Sequence, residues 1–282
     1  MGISQYIKEI GRGPRGSKPL TREQAADLFG QLLDGNVTDL EIGAFCLAMR
    51  IKGETPEEMC GFLGAAHSRM ALFPASDRPV IVLPSYNGAR KLPVLTPLLA
   101  LLLAREGLPV LLHGMRTEAR RTLASDVLLA LGVPALTAPE KIATGSVAHI
   151  ETGYLHAALA RLLKVREVVG LRNAGHSIVK LMNPCAGPAV VVTSYTHPEY
   201  YDMLQATFGA LHMTALLSRG LEGEVATDPR RTPRYDAFVA GVHQLLQEQQ
   251  PGTAADVPGL PTEIDIDTTA RYTQDVLDGR LP

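Results

Sequence analysis

Three short runs of β-branched and aliphatic residues, Val80–Leu83, Val110–Leu112 and Val190–Thr193, alternate with segments long enough to be helices. That alternation restricts the chain to strand–helix–strand folds, in which helices pack on a mostly parallel sheet. Such sheets bind ligands at the carboxyl ends of their strands, where loops lead into helix N-termini. The first run continues through L-P-S-Y-N-G-A-R-K (Leu83–Lys91) into the apolar stretch Leu92–Ala104. The second continues through His113-Gly114 into a basic turn. Met115–Asp126, extended through Val127–Gly132, reads as the helix after that turn. Two strand ends, each followed by cations, are expected side by side at one edge of the sheet.

Before Pro79 there is no strand signal. Thr21-Arg22-Glu23-Gln24 has the spacing of a capping box, and apolar residues follow it at helical intervals to Leu33. Thr38 opens a second helix through Phe45 and Met49, and Thr55-Pro56-Glu57-Glu58 opens a third, with proline at its first position. Helical segments return at Leu155–Val169 and Gly175–Met182. The organisation expected is an N-terminal helical domain over 1–72, joined by a helical insert around 152–185, and an α/β domain over 73–282. Near the C-terminus Ile264 and Ile266 suggest a short strand, followed by a last helix over Asp267–Leu277.

Composition excludes several classes. Leu92–Ala104 is the longest apolar run; it contains Pro93 and Pro97 and falls short of the roughly 18 residues a membrane helix needs. The first residues contain no apolar core of an export signal, so a cytoplasmic protein without a membrane is expected. Cys46, Cys60 and Cys185 lack metal or disulfide spacing and read as small buried hydrophobes. No histidine pair has metal spacing; His113 and His149 read as structural. No G-x-S-x-G elbow marks a hydrolase.

Charge is unevenly distributed. The chain carries a net charge of −2, yet Arg78–Arg121 holds seven basic residues against two acids and Ala158–Gly187 five against one. This pattern marks a local anion-binding surface on an acidic protein, or else basic residues scattered on solvated helix faces.

At this point the residues carry a resemblance. L-L-D-G-N-V-T-D-L-E-I-G-A-F-C-L-A-M-R-I-K-G-E-T-P-E-E-M (Leu32–Met59), H-G-M-R…S-D-V-L-L-A-L-G-V (His113–Val133) and Met182-Asn183-Pro184 resemble segments of anthranilate phosphoribosyltransferases and their nucleoside phosphorylase relatives. The resemblance implies a small helical domain docked on an α/β domain, dimerising through the helices. Arg166 falls where that family has a substrate-binding arginine.

The departures from that family concern one site. Its G-T-G-G-D loop, which binds phosphoribosyl pyrophosphate, is here P-S-Y-N-G-A-R-K, and glycines are what let a backbone approach a pyrophosphate. The asparagine of its H-G-N-R is Met115, and the serine- and lysine-rich phosphate contacts that follow are Glu118-Ala119-Arg120-Arg121. Its adjacent Asp-Glu pair, which holds magnesium, becomes Glu222-Gly223-Glu224. These two glutamates read first as a solvated loop, with Mg2+ expected only if a transferase activity survives; no cofactor is otherwise expected.

Y-N-G-A-R-K, S-Y-T-H-P-E-Y and D-P-R-R are similar to the divergent YbiB-like branch of the family. That likeness implies a homodimer binding nucleic acid, single-stranded DNA above all, without sequence specificity and with no catalytic residue. Carried over by position, the phosphate contacts are Arg90, Lys91, Arg116, Arg120, Arg121, Lys164, Arg166 and Arg172, on an ancestral substrate loop of Tyr86, Asn87 and Gly88. Tyr86, Tyr195 or Tyr200 is a candidate for base stacking. The alternative is a phosphoribosyl or other glycosyl transferase with an altered acceptor. A continuous basic groove favours the first reading, a closed pocket with one phosphate-sized site the second.

Overall fold

The computed structural model describes residues 2–13 and 15–281. It opens with helices α1 (Ser4–Ile10), α2 (Arg22–Leu33), α3 (Asp39–Lys52) and α4 (Pro56–His67). Thr21, Thr38 and Thr55 each close a reciprocal capping box with the residue three positions on, as their spacing requires. Helix α1 has no side-chain cap and leaves no signature in the sequence; Ile3 and Ile10 bury against the other helices and hold it. At the centre of this layer the rings of Phe29, Phe45 and Phe62 meet, with centroids 5.0 to 6.1 Å apart. Each such pair contributes about 0.5–1.5 kcal/mol beyond the area it buries.

The sheet follows. Its strands are β1 (Val80–Ser85), β2 (Val110–Gly114), β3 (Ala135–Leu136), β4 (Val147–Glu151), β5 (Ala189–Tyr195), β6 (Ala215–Arg219), β7 (Tyr235–Val239) and β8 (Val242–Gln247). They run in the order β3-β4-β2-β1-β5-β6-β7-β8. Pairing is parallel from β3 to β6, and antiparallel from β6 through β7 to β8. Helices α5 (Thr96–Arg105), α6 (Ala124–Ala130), α10 (Glu199–Ala210) and α11 (Ile266–Leu277) complete the α/β part, while α7 (Thr152–Leu155), α8 (Ala157–Val169) and α9 (Gly175–Ile178) follow β4. Parallel central strands buried on both faces explain the continuous apolar runs by which they were legible.

Progress along the sheet reverses between β1 and β5: from β1 the chain moves towards β2, and from β5 it moves towards β6. A crevice at the carboxyl ends of such strands is where open α/β sheets take ligands. The loops after β1, β2, β5 and β6 all converge there. Segment 152–185 runs back along the N-terminal helices. Ala71 N–H donates to the Leu155 carbonyl, Asn183 N–H to His67 Nε2, and Phe73 N–H to the Pro184 carbonyl.

Two local expectations fail, and one element was not anticipated. Residues 115–123 form no helix; Ala89 and Thr122 pair as an antiparallel bridge, and α6 starts only at Ala124. The Thr117 hydroxyl bonds the Tyr86 carbonyl, so this stretch is tied to the loop after β1 instead of coiling. Ile264–Ile266 is no strand, because Asp265 accepts the Thr268 N–H as the N-cap of α11. The β7–β8 hairpin has no counterpart among the strands expected. Its turn is Ala240-Gly241, both at positive φ (49° and 82°), where the usual sequence signal is asparagine or glycine at the first position.

Candidate functional site

The loop Ser85–Lys91 leaves β1 at the switch point, and its N–H groups from Asn87 to Lys91 are already satisfied within the protein. Glu224 Oε1 accepts the N–H groups of Asn87 (2.9 Å) and Gly88 (2.7 Å), and Oε2 accepts the hydroxyls of Ser85 (2.6 Å) and Thr96 (3.1 Å). Glu222 Oε2 accepts the N–H groups of Arg90 and Lys91, both at 2.9 Å. Two carboxylates thus occupy the donors that a phosphate would take. The reading of Glu222 and Glu224 as a solvated loop is therefore wrong: their side chains are 8% and 4% exposed. Burying a carboxylate is costly unless donors surround it, and these are surrounded.

The segment between the two glutamates is bolted down as tightly. Asn87 Nδ2 donates to the Glu222 carbonyl (2.6 Å) and Lys180 Nζ to the Gly223 carbonyl (2.9 Å). Gly223 has φ +85°, and a Cβ there would overlap the Asn87 amide. Glycine is the residue that lets the loops after β1 and β6 touch.

These residues do not suit a magnesium ion. Both Glu224 oxygens are engaged by N–H and O–H donors, while Glu222 Oε1 faces Arg121 at 3.6 Å and Arg90 at 3.9 Å. Among the described residues no cluster of three or more His, Cys, Asp or Glu side chains is placed to bind a metal.

Beside the locked loop lies an open groove of about 790 Å³. Arg90, Lys91, Arg121, Arg166, Arg172, Arg219 and Arg231 line it, against Glu118, Glu222 and Asp228. Of the cations expected from sequence, Arg90, Lys91, Arg121, Arg166 and Arg172 are brought together. Arg116, Arg120 and Lys164 do not line the groove. Arg116 pairs with Asp126 and donates to the Arg121 carbonyl, and Arg120 and Lys164 are exposed elsewhere.

The groove cations are not equivalent. Glu118 holds Arg121 (2.9 Å) and Arg166 (3.2 Å). Burial works against the Glu118 charge, but these two cations outweigh it and keep its carboxyl below the usual range. Arg121 and Arg166 thus form part of the groove floor, whereas Arg90 and Lys91 are exposed. Arg219 and Arg231 were not anticipated from the sequence. Arg219 ends β6 and precedes Gly220, the same strand-end signal that drew attention to the β1 loop.

The tyrosines divide. Tyr86 is 1% exposed; its hydroxyl accepts from Thr152 (2.9 Å) and contacts His113 Nδ1 (2.8 Å), so it is a core group that cannot stack on a base. Burial pushes the His113 imidazole down to about 3, and it stays neutral. His149 is tied to the Val133 carbonyl (2.8 Å), in keeping with the structural role expected for both histidines. Tyr195 and Tyr200 are half-buried and line a second cavity beside the groove.

Comparison with known proteins places this geometry. Residues 4–70 match the glycosyl transferase family, helical bundle domain. The chain is 37% identical to the uncharacterized protein YbiB of Escherichia coli K12, over 100% of this chain and 90% of YbiB. It is 29% identical to the anthranilate phosphoribosyltransferase of Methylobacterium sp. 4-46, over 97% of this chain and 82% of the enzyme. Among solved structures, the anthranilate phosphoribosyltransferase TrpD of Thermus thermophilus superposes with a TM-score of 0.76 at 21% identity, covering 99% of this chain and 83% of that one. The Saccharomyces cerevisiae enzyme in complex with PRPP and Mg gives a TM-score of 0.67 at 14% identity, covering 99% and 81%. The chain belongs to the anthranilate phosphoribosyltransferase-like family of glycosyl transferases, on its YbiB-like branch.

Proposed function

We propose that this protein binds single-stranded nucleic acid, with DNA favoured, along the basic groove, without sequence specificity and in the cytoplasm. The observation that carries this reading is the division within loop Ser85–Lys91. Its backbone donors are spent on Glu222 and Glu224, while the side chains of Arg90 and Lys91 line the groove. Backbone donors are what a pyrophosphate cradle needs; arginine and lysine heads are what a phosphodiester chain needs. The open groove, with cations along it from Arg90 to Arg231, suits a run of phosphates better than one.

The helices of residues 1–72 and the insert 152–185 act in this proposal as one unit through which two copies associate. Leu40, Leu47 and Ile51 support it: spaced seven and four residues apart, they leave an apolar stripe exposed on α3.

A transferase acting on a phosphorylated ribose, with an altered acceptor, is the second reading, favoured by the scaffold shared with TrpD. It requires Glu222 and Glu224 to leave the β1 loop. Calorimetric titration separates the two readings. The proposal expects heat from a single strand and none from phosphoribosyl pyrophosphate with magnesium; the reverse result would overturn it.

A further inference from the structure

We propose that the cavity opening off the groove receives the phosphate at one end of the bound strand, so that the protein prefers strands ending in a phosphomonoester. This rests on the reading that the groove holds a single strand. The cavity, of about 210 Å³, lies between the C-terminal end of α3, segment 172–181, the end of β5 and α10. It shares Arg172, Thr196 and His197 with the groove, so a strand held by Arg172 can turn its last nucleotide inward there.

The charge of the cavity is what selects an end. Arg50, Arg172 and Lys180 line it against one acid, Glu54. Burial pushes the Glu54 carboxyl above its usual range and so works against its negative charge. Lys180, tied to the Gly223 carbonyl (2.9 Å), adds its charge from the wall. A phosphodiester within a strand carries one negative charge, whereas a terminal phosphomonoester carries about 1.5 to 2 at neutral pH and has more free oxygens to accept hydrogen bonds. Cations gathered in so small a space suit the second.

Arg172 is the member of the set that most lacks a partner. It is half-buried, makes no hydrogen bond or ion pair among the described residues, and its nitrogens keep accessible surface. Burial pulls its guanidinium below the ordinary range, and Arg166, Arg121 and Arg50 add to the depression. Glu118 offsets part of it, but that carboxylate is already bonded to Arg121 and Arg166. Arginine stays charged nonetheless. A half-buried positive charge without a counterion is costly, and an anion in the cavity would relieve it. Arg50, in the last turn of α3, is exposed and likewise unpaired among the described residues. Tyr195 and Tyr200, half-buried on the same wall, offer aromatic surface to the terminal nucleoside.

The test compares ~10-nucleotide thymidine strands carrying a 5′-phosphate, a 3′-phosphate or hydroxyls at both ends, binding wild type, Arg50→Gln and Lys164→Gln. Arg50 lines the cavity and not the groove, and Lys164 lines neither. Wild type is expected to bind one of the phosphorylated strands roughly tenfold more tightly than the hydroxyl-ended strand. Arg50→Gln should bring that ratio towards one with hydroxyl-ended binding unchanged, while Lys164→Gln keeps the ratio. Arg50 bonds nothing in the described fold, so its substitution leaves the structure intact. A wild-type ratio of one, or a ratio that survives Arg50→Gln, overturns the end pocket and leaves the groove reading standing. An equal loss in Lys164→Gln overturns it too, since the preference would then follow total charge. Failure of wild type to bind any strand, whatever its ends, overturns both.

Discussion

The carboxylate of Glu224 lies 2.7 Å from the backbone nitrogen of Gly88, where a strand–turn–helix loop ordinarily offers its N–H groups to a phosphate. A side chain of the protein has taken the place of a ligand. The loop is thereby fixed in shape without substrate, and what it presents outward is Arg90 and Lys91. In the proposed reading, phosphate recognition has moved from main chain to side chains on this scaffold.

Removing the charge of Glu224 tests that lock. In Glu224→Gln an amide NH2 would be turned against N–H and O–H donors that are buried with it. A hydrogen bond to a charged acceptor is worth about 1.5–3 kcal/mol. A loss of at least roughly 2 kcal/mol is expected, read as a lower urea midpoint. Weaker strand binding should accompany it, since Arg90 and Lys91 lose their platform. An unchanged midpoint would remove Glu224 from the account.

Charge reversals separate the groove from the rest of the basic surface. Arg219→Glu and Arg231→Glu lie in the groove; Arg120→Glu and Lys164→Glu do not. Each groove variant should weaken strand binding and flatten the slope of log affinity against log salt by about 0.7 for every phosphate no longer neutralised. The two outer variants should bind within about twofold of wild type. Equal losses in all four would mean that strand binding has no preferred path on the surface.

In the proposed dimer the exposed apolar stripe on α3 is the contact between copies. Leu47→Glu combined with Ile51→Glu places two charges in the proposed contact, at positions already exposed in the single chain. Light scattering after gel filtration should show wild type as a dimer and the double variant as a folded monomer. A monomeric wild type would dispose of the dimer proposal directly.

Lys180 gives the site a pH signature. Burial pushes its ammonium down to about 8; Glu224 acts in the opposite direction and Arg172 adds to the depression. Between pH 8 and the unfolded value near 10.5 the unfolded chain holds a proton that the native chain has lost, so native stability rises with pH through that window. The expected slope is roughly 1.4 kcal/mol per pH unit. Thermal melts of wild type and Lys180→Met across that window should differ by this rise; parallel curves would place the lysine in water.

Much of the fold was legible because it depends on local rules. Thr21, Thr38 and Thr55 announce their helices by chemistry within four residues, and β1, β2 and β5 announce themselves by apolar runs. The β7–β8 hairpin escaped because Ala240 takes a left-handed conformation that its side chain disfavours. At the site, the strand-end rule found Arg90 and Lys91 but not what lies beneath them. Glu222 and Glu224 are more than 130 residues from the donors they satisfy in that loop, and no local pattern encodes such a pairing. Tyr86 misled for a related reason, since a tyrosine beside arginines looks like a stacking platform until Thr152 and His113 close over its hydroxyl.

The most direct measurement is the affinity of wild type for a labelled ~30-nucleotide single strand, followed by fluorescence anisotropy across a salt series. With about four phosphates neutralised in the groove, log affinity should fall against log salt with a slope near −3, and binding should persist near physiological salt. Absence of binding at that salt, or affinity indifferent to salt, would contradict the nucleic-acid account and leave the transferase reading in its place.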